Sequence, residues 1–172
     1  SVTSIGDKAF FGCSGLESLT IPSSVTSIGD KAFYQCCNLK SIDVESNNLN
    51  YASKDGILFT KDLEILICFP SKHQFSTYQI PTSVTSISDS AFYLCSHLQS
   101  ITIPTTVTSI GHSAFSNCHN LQSITIPTSV ASIGNSAFAD CINLRSISIP
   151  QIFDHRISKI FPNTPLSEIG IL

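Results

Sequence analysis

The sequence predicts an α/β solenoid. Its coils stack along one axis, with a parallel β-sheet on one face, short helical or 3-10 turns on the other, and one inserted β-hairpin. Three observations carry this. The decapeptide SVTSIGDKAF is written twice, at Ser1–Phe10 and Ser24–Phe33. Apolar residues recur through most of the chain at the same offset of 23 residues. One stretch, within Glu45–Gln74, exceeds that offset by 13 residues.

The columns are explicit. Val2, Val25, Val84, Val107 and Val130 share one phase, and Ile5, Ile28, Ile87, Ile110 and Ile133 a second. Phe10, Phe33, Phe92, Phe115 and Phe138 follow, then Cys13, Cys36, Cys95, Cys118 and Cys141. Leu16, Leu39, Leu98, Leu121 and Leu144 come next, and Pro22, Pro81, Pro104, Pro127 and Pro150 close most units. A unit this small cannot bury about eight apolar residues by itself, but stacked units bury one another's. Each coil must present the same shape to the next, which is why the same letters recur.

Within a unit, LQSITIP (98–104 and 121–127) alternates apolar and polar positions and is β-branched. It reads as a short strand with Ile101 and Ile103 inward and Ser100 and Thr102 outward, ended by proline. GDKAFFGC (6–13) reads as a helical turn in which Asp7, or Asp30 in the next unit, caps the turn after a glycine bend. In the excursion, GILFT (56–60) and ILICF (65–69) flank the turn KDLE and read as a β-hairpin. The array resumes at FSTYQIP (75–81). The last unit, 151–172, is degenerate. Phe161, Leu166, Ile169 and Ile171 keep the core phase, while the cysteine column is lost and Pro162 and Pro165 appear. About seven coils thus make one domain over 1–172.

Composition narrows the function. Hydrophobic residues make up 42% of the chain and charged residues only 12%, with a net charge of −3. No basic stripe is available to neutralise phosphates, so nucleic acid is not the expected partner. The apolar runs are too short to span a bilayer. No signal-peptide pattern is present and the chain opens inside a repeat, so its address is expected to lie outside this sequence.

SIGDKAFYQCCNLKSIDV (27–44) resembles the BspA-like leucine-rich repeats of bacterial and protozoan surface proteins, and NYASKDGILFTKDLEILICFP (50–70) resembles the longer unit interspersed among them. The resemblance covers Ser1 to Pro150 and departs at Glu45, where the proline column is broken. It implies a right-handed leucine-rich-repeat solenoid. It also implies a surface or secreted protein that adheres to host proteins, matrix or other cells. No set of binding residues carries over with it.

The candidate chemistry is sparse. Cysteines at one phase of a solenoid are expected to be buried, free and apolar in role, with Cys37 the most accessible thiol. The pairs Cys95/His97 and Cys118/His119, with His112 nearby, lack the spacing of a four-ligand zinc site, so they read as solvated loop histidines and no metal or other cofactor is expected. No nucleophile elbow, zinc-protease helix or phosphate loop is present, so catalysis is not expected.

The outward face is the informative surface. Its rows are Ser18, Ser41, Thr77, Ser100, Ser123, Ser146 and Thr20, Asp43, Gln79, Thr102, Thr125, Ser148, flanked by Glu17, Lys40, Ser76, Gln99, Gln122 and Arg145. Such rows are ordinary soluble filler or a hydrogen-bonding face for protein or glycan. Lys40, Asp43 and Glu45 bring charge to this face beside the excursion. With Lys61, Asp62 and Gln79 they form the expected docking corner. The function expected is a non-enzymatic interaction module of a surface adhesin. An intracellular scaffold is the alternative, and an ice-binding hydroxyl face a remote one.

Overall fold

The computed structural model describes all residues, Ser1–Leu172. The first coils supply β1 (Ser4–Ile5), β2 (Ser18–Ile21), β3 (Ser27–Ile28) and β4 (Ser41–Val44). The excursion supplies β5 (Tyr51–Lys54), β6 (Ile57–Thr60) and β7 (Ile65–Cys68). Then follow β8 (Thr77–Gln79), β9 (Ser86–Ile87), β10 (Ser100–Thr102), β11 (Ser109–Ile110) and β12 (Ser123–Thr125). The chain ends with β13 (Ser132–Ile133), β14 (Ser146–Ile149), a 3-10 turn (Gln151–Arg156), α1 (Ile157–Ile160) and β15 (Glu168–Ile171).

The longer strands form the outward face. β2 pairs with β4, β8 with β10, and β12 with β14, all parallel and offset by one coil, as in Ser18↔Ser41 and Ile124↔Ile147. Parallel pairing needs a long crossover, and here each coil is its own crossover. The expected alternation holds: in β10 and β12 the central Ile is buried while Ser and Thr face out. A second ladder runs from β7 through the two-residue strands β9, β11 and β13, which follow one another in parallel.

Opposite the outward face, the expected turns keep the i→i+3 bonding of a 3-10 helix. Ala91, Tyr93, Cys95 and Leu98 N–H donate to Ser88, Ser90, Phe92 and Cys95 carbonyls. They do not run on as helix, because Ser90 (φ 58) and Leu94 (φ 62) are left-handed, as are Ser113 and Asn117 one coil later. Alternate N–H groups therefore point along the solenoid axis. Ser90, Phe92 and Leu94 donate to the carbonyls of His112, Ala114 and Ser116 in the next coil, at 2.8, 2.7 and 3.0 Å. Regular helix is confined to 151–160. The aspartate does not cap its own turn. Asp7 Oδ1 accepts Asp30 N–H and Asp89 Oδ1 accepts His112 N–H, so the carboxylate serves the following coil.

The phenylalanine column is a stacked ladder. Ring centroids lie 5.0 Å apart for Phe69–Phe92, 4.7 Å for Phe92–Phe115, and 4.9 Å for both Phe115–Phe138 and Phe138–Phe161. Phe69, from the end of the hairpin, takes the rung of the excursion. The cysteine column sits beside this ladder and donates to it: Cys118 and Cys141 Sγ lie 3.2 Å from the carbonyls of Phe92 and Phe115. In the degenerate last unit Thr164 stands at the cysteine phase and donates to Phe138 O at 2.6 Å. The thiol therefore serves as a donor to a buried carbonyl, and a hydroxyl can replace it.

The excursion is a three-stranded meander. β6 and β7 form the expected hairpin, and β5 pairs antiparallel with β6 through the tip Asp55-Gly56. Both tip residues are left-handed (φ 55 and 77), the signature of a two-residue hairpin turn. This meander divides the core in two. A large apolar cluster runs from Ile57 to Phe161, and a small one from Ile5 to Leu58. In the small one Phe10 and Phe33 stack at 5.6 Å. Asn48, fully buried, ties the meander to the second coil: its Nδ2 donates to the Pro22 and Val25 carbonyls and its Oδ1 accepts Asn50 and Tyr51 N–H.

At the last coil Phe161 is buried and Leu166 half-buried, as their phase requires. Ile169 and Ile171 hold register with Ile147 and Ile149 but remain 49% and 46% exposed, because β15 is an edge strand.

Candidate functional site

The six residues expected at the docking corner occupy three places. Lys40 stands at the start of β4 and pairs with Glu17 one coil earlier, Nζ to Oε2 2.8 Å. That pair is well exposed, and the ammonium holds the Glu17 carboxyl below its usual range. Asp43 projects outward from the middle of β4, beside Thr20, and Gln79 from the end of β8, beside Thr102. Glu45 follows β4, and its Oε2 accepts the Ser23 N–H at 2.7 Å, which lowers its pKa. Here a carboxylate does what proline does elsewhere: it closes the coil, by bonding to the coil before.

Lys61 and Asp62 form the far turn of the hairpin. Asp62 Oδ1 accepts the Thr60 hydroxyl at 2.6 Å and Glu64 N–H at 3.0 Å, and both bonds lower its pKa. Lys61 Nζ reaches the Ser46 carbonyl at 3.3 Å. Lys61 and Asp62 therefore lie on the rim with Glu45, while Lys40 is engaged with Glu17 and Asp43 has no bonded partner. No hydrogen bond or ion pair joins the side chains of Lys40, Asp43 and Glu45 to one another.

The hairpin also interrupts the outward face. Inside β4, Ile42 N–H donates to Gly56 O rather than to another coil. A Cβ on Gly56 would lie 2.9 Å from Ser41 Cβ, so the tip needs glycine for both space and φ. The buried ring of His73 holds this tip: Nε2 lies 2.7 Å from Asp55 O, while Nδ1 faces Phe75 N–H at 3.2 Å. Because Nδ1 accepts, Nε2 carries the proton.

Histidines are thus not all solvated. His73 is core, and His97 has both ring nitrogens shielded without partners. His97 stands where Asn38 and Asn143 bond the preceding coil through Nδ2. Sequence reasoning missed His73, Asn48 and Gly56. Only the Asp-Gly pair carried a signal that could have found one of them.

The cysteines are all free. Cys36, Cys95, Cys118 and Cys141 are buried as expected, but Cys13 is exposed and Cys37 half-buried, the reverse of the order expected. Burial pushes the Cys36 thiol up to about 11 and that of Cys141 to about 12. No group of three or more His, Cys, Asp or Glu side chains could hold a metal ion. No helix is long and apolar enough to cross a membrane.

Known proteins fit this geometry. The family described as the BspA type leucine rich repeat region matches in six copies, over residues 1–60 and 67–172. No curated protein matches the chain. Among solved structures, a leucine-rich repeat protein from Eubacterium ventriosum superposes with a TM-score of 0.85 at 28% identity, over 98% of this chain and 52% of that one. A leucine rich cell surface protein from Faecalibacterium prausnitzii gives 0.74 at 29% identity, over 99% and 52%. The pneumococcal vaccine antigen PcpA gives 0.74 at 25% identity, over 99% and 46%. The chain thus spans about half the length of each. With its repeats matched almost end to end, the chain belongs to the BspA-type leucine-rich-repeat family.

Proposed function

We propose that this chain is a non-enzymatic protein-interaction module of a cell-surface or secreted adhesin. Its partner would be a protein of the host matrix or of another cell's surface, with a glycan the second class of ligand. The observation that carries the reading is the outward face. Four face strands outside the excursion, β2, β4, β10 and β12, hold exposed Ser, Thr or Asp side chains, and half-buried Ser146 and Ser148 continue the rows in register on β14. A rigid sheet presenting hydroxyls at fixed spacing is preorganised to dock a partner without ordering cost. Likeness to a leucine rich cell surface protein and to a vaccine antigen supports the location.

Recognition centres on the corner beside the meander, where Lys40, Asp43, Glu45, Lys61, Asp62 and Gln79 break the uniformity of the rows. Loops set on a rigid scaffold often carry recognition. The test is binding of the purified chain to an array of matrix proteins and fixed cells, followed by two triple variants checked for folding. Changing Lys40, Asp43 and Glu45 to Ala should weaken binding about tenfold more than changing Thr102, Thr125 and Ser148 to Ala. Equal losses, or a larger loss from the second set, would move the site to the hydroxyl rows.

A further inference from the structure

The break between the two stacks leaves backbone groups open on the second coil. In the intact stack Thr85 and Ile87 carbonyls accept the N–H of Thr108 and Gly111, at 2.8 and 2.9 Å. The Asp89 carboxylate accepts His112 N–H at 2.7 Å, and Ser90 and Phe92 N–H donate onward to the next coil. The second coil has Thr26, Ile28, Asp30, Lys31 and Phe33 at the same five phases. It makes none of these onward bonds.

The meander stands where the next coil would, but it does not pair with this edge. β7 pairs with β9, and β6 with β5 and β7. A cleft of about 330 Å³ remains, lined by Ile28, Phe33, Tyr34, Tyr51, Ile65 and Ile67, with Asp30, Lys31 and Asp89 around it. Ile28 is only half-buried here, while its counterparts Ile87, Ile110 and Ile133 are 1–2% exposed. The ring of Tyr34, which lines the cleft, stacks on Tyr93 with centroids 4.0 Å apart.

We propose that this cleft binds an extended peptide segment of a partner protein, which adds to the second coil as a strand in the place of the absent coil. Unpaired strand edges are templates for such addition, with main-chain bonds supplying affinity and side-chain pockets specificity. The edge states what the peptide must offer. Its N–H groups meet the Thr26 and Ile28 carbonyls, and its carbonyls meet the Lys31 and Phe33 N–H. An apolar side chain fills the floor between Ile28, Ile65 and Ile67. A basic side chain sits at the rim, because two carboxylates there face one ammonium. That ammonium, of Lys31, is already placed over the Tyr34 ring at 5.7 Å, and Asp30 lacks the N–H that Asp7 and Asp89 accept. A volume of this size admits a short strand but not a whole coil of a second copy. This site is separate from the docking corner on the outward face, and its fate does not depend on that reading.

The test uses the full chain labelled with ¹⁵N and two sources of peptide. One is the blocked peptide TSIGHSAF, the sequence of Thr108–Phe115. The other is a displayed library of random dodecamers selected on the protein. Saturable shifts at the Thr26–Phe33 amides are expected, with exchange of the Lys31 and Phe33 amides slowed at least tenfold and basic residues enriched among selected peptides. Asp30→Lys should weaken the selected peptides at least fivefold. Asp154→Lys, the same charge change on the 3-10 turn, should leave them unchanged. Three outcomes would overturn the proposal: no peptide from either source moves these amides, selected peptides shift the outward face instead, or the amides become protected on concentrating the protein alone. The last would mean that a second copy fills the cleft.

Discussion

The stack from Phe69 to Phe161 and the junction between the second coil and the meander are built from nearly the same residues, yet they behave differently. In the stack every rung meets a rung. The rings lie 4.7–5.0 Å apart, and the N–H groups turned along the axis find carbonyls in the next coil. At the junction Phe33 stacks on Phe10 alone, and the same N–H groups find nothing. The difference teaches that the repeat consensus specifies half an interface. Its stability is realised only when a second coil of the same phase stands beside it, as expected for a quasi-one-dimensional fold.

The largest test of this contrast is in the ladder. Phe92→Ala removes a ring stacked on both sides and should cost about 3–5 kcal/mol in urea denaturation. Phe33→Ala removes a ring stacked on one side at the break, and its loss should be smaller, about 2–3 kcal/mol. Equal losses would mean that the two stacks pack alike.

The meander is held at its tip. Gly56→Ala places a Cβ against Ser41 at a left-handed φ, so it should cost about 1–3 kcal/mol. Asn at that position, which tolerates the same φ, should be milder in strain though not in contact. A thermal melt unchanged by Gly56→Ala would show that the tip is not seated on β4.

The thiol column makes a finer prediction. Cys118→Ala leaves the Phe92 carbonyl with the Cys95 N–H as its one donor and should cost about 0.5–1.5 kcal/mol more than Cys118→Ser, which keeps a second. The natural threonine at 164 is the precedent. The same thiols set a pH limit. Burial raises those of Cys68 and Cys141 to about 12 and that of Cys36 to about 11. In the unfolded chain they ionise near the ordinary cysteine value. Stability is therefore fully present below about pH 8.5 and declines as pH rises toward 11–12, since only the unfolded state releases protons in that window. A denaturation midpoint flat from pH 8 to 10.5 would contradict the burial of the column.

Much of this was legible in the sequence because repetition multiplies a weak signal. One LQSITIP is an ambiguous heptamer, but five related heptamers in phase, from LESLTIP (16–22) to LRSISIP (144–150), define a sheet. The hairpin was readable from GILFT and ILICF, yet β5 was not, since YASK has neither alternation nor β-branched residues. Its one cue was the Asp-Gly pair that follows. The turns looked helical because Ala, Phe and Cys fall at helix-like spacing. Nothing local reveals that Ser90 or Ser113 adopts a left-handed φ, which turns the N–H toward the next coil, and Lys31 keeps the same φ where no onward bond is made. The docking corner suffered likewise. Charge near the excursion was visible, but the engagement of Lys40 by Glu17 and of Glu45 by Ser23 depends on stacking across coils. Cys13 and Cys37 exchanged their expected exposures, since Cys37 is half-buried and Cys13 exposed.

The claim that the meander splits one ladder into two is tested most directly by amide hydrogen exchange, read residue by residue. Phe33 is only 9% exposed and Phe115 fully buried, so burial alone predicts slow exchange at both. Bonding predicts otherwise: Phe115 N–H donates to Ala137 O at 2.7 Å, while Phe33 N–H has no acceptor. The Phe92 and Phe115 amides should exchange with the slowest class, at the rate of global unfolding, and those of Lys31, Phe33 and Gln35 orders of magnitude faster. Protection of the Phe33 amide equal to that of Phe115 would contradict the account, because it would mean that the turn of the second coil is bonded onward at Phe33 and the ladder is continuous.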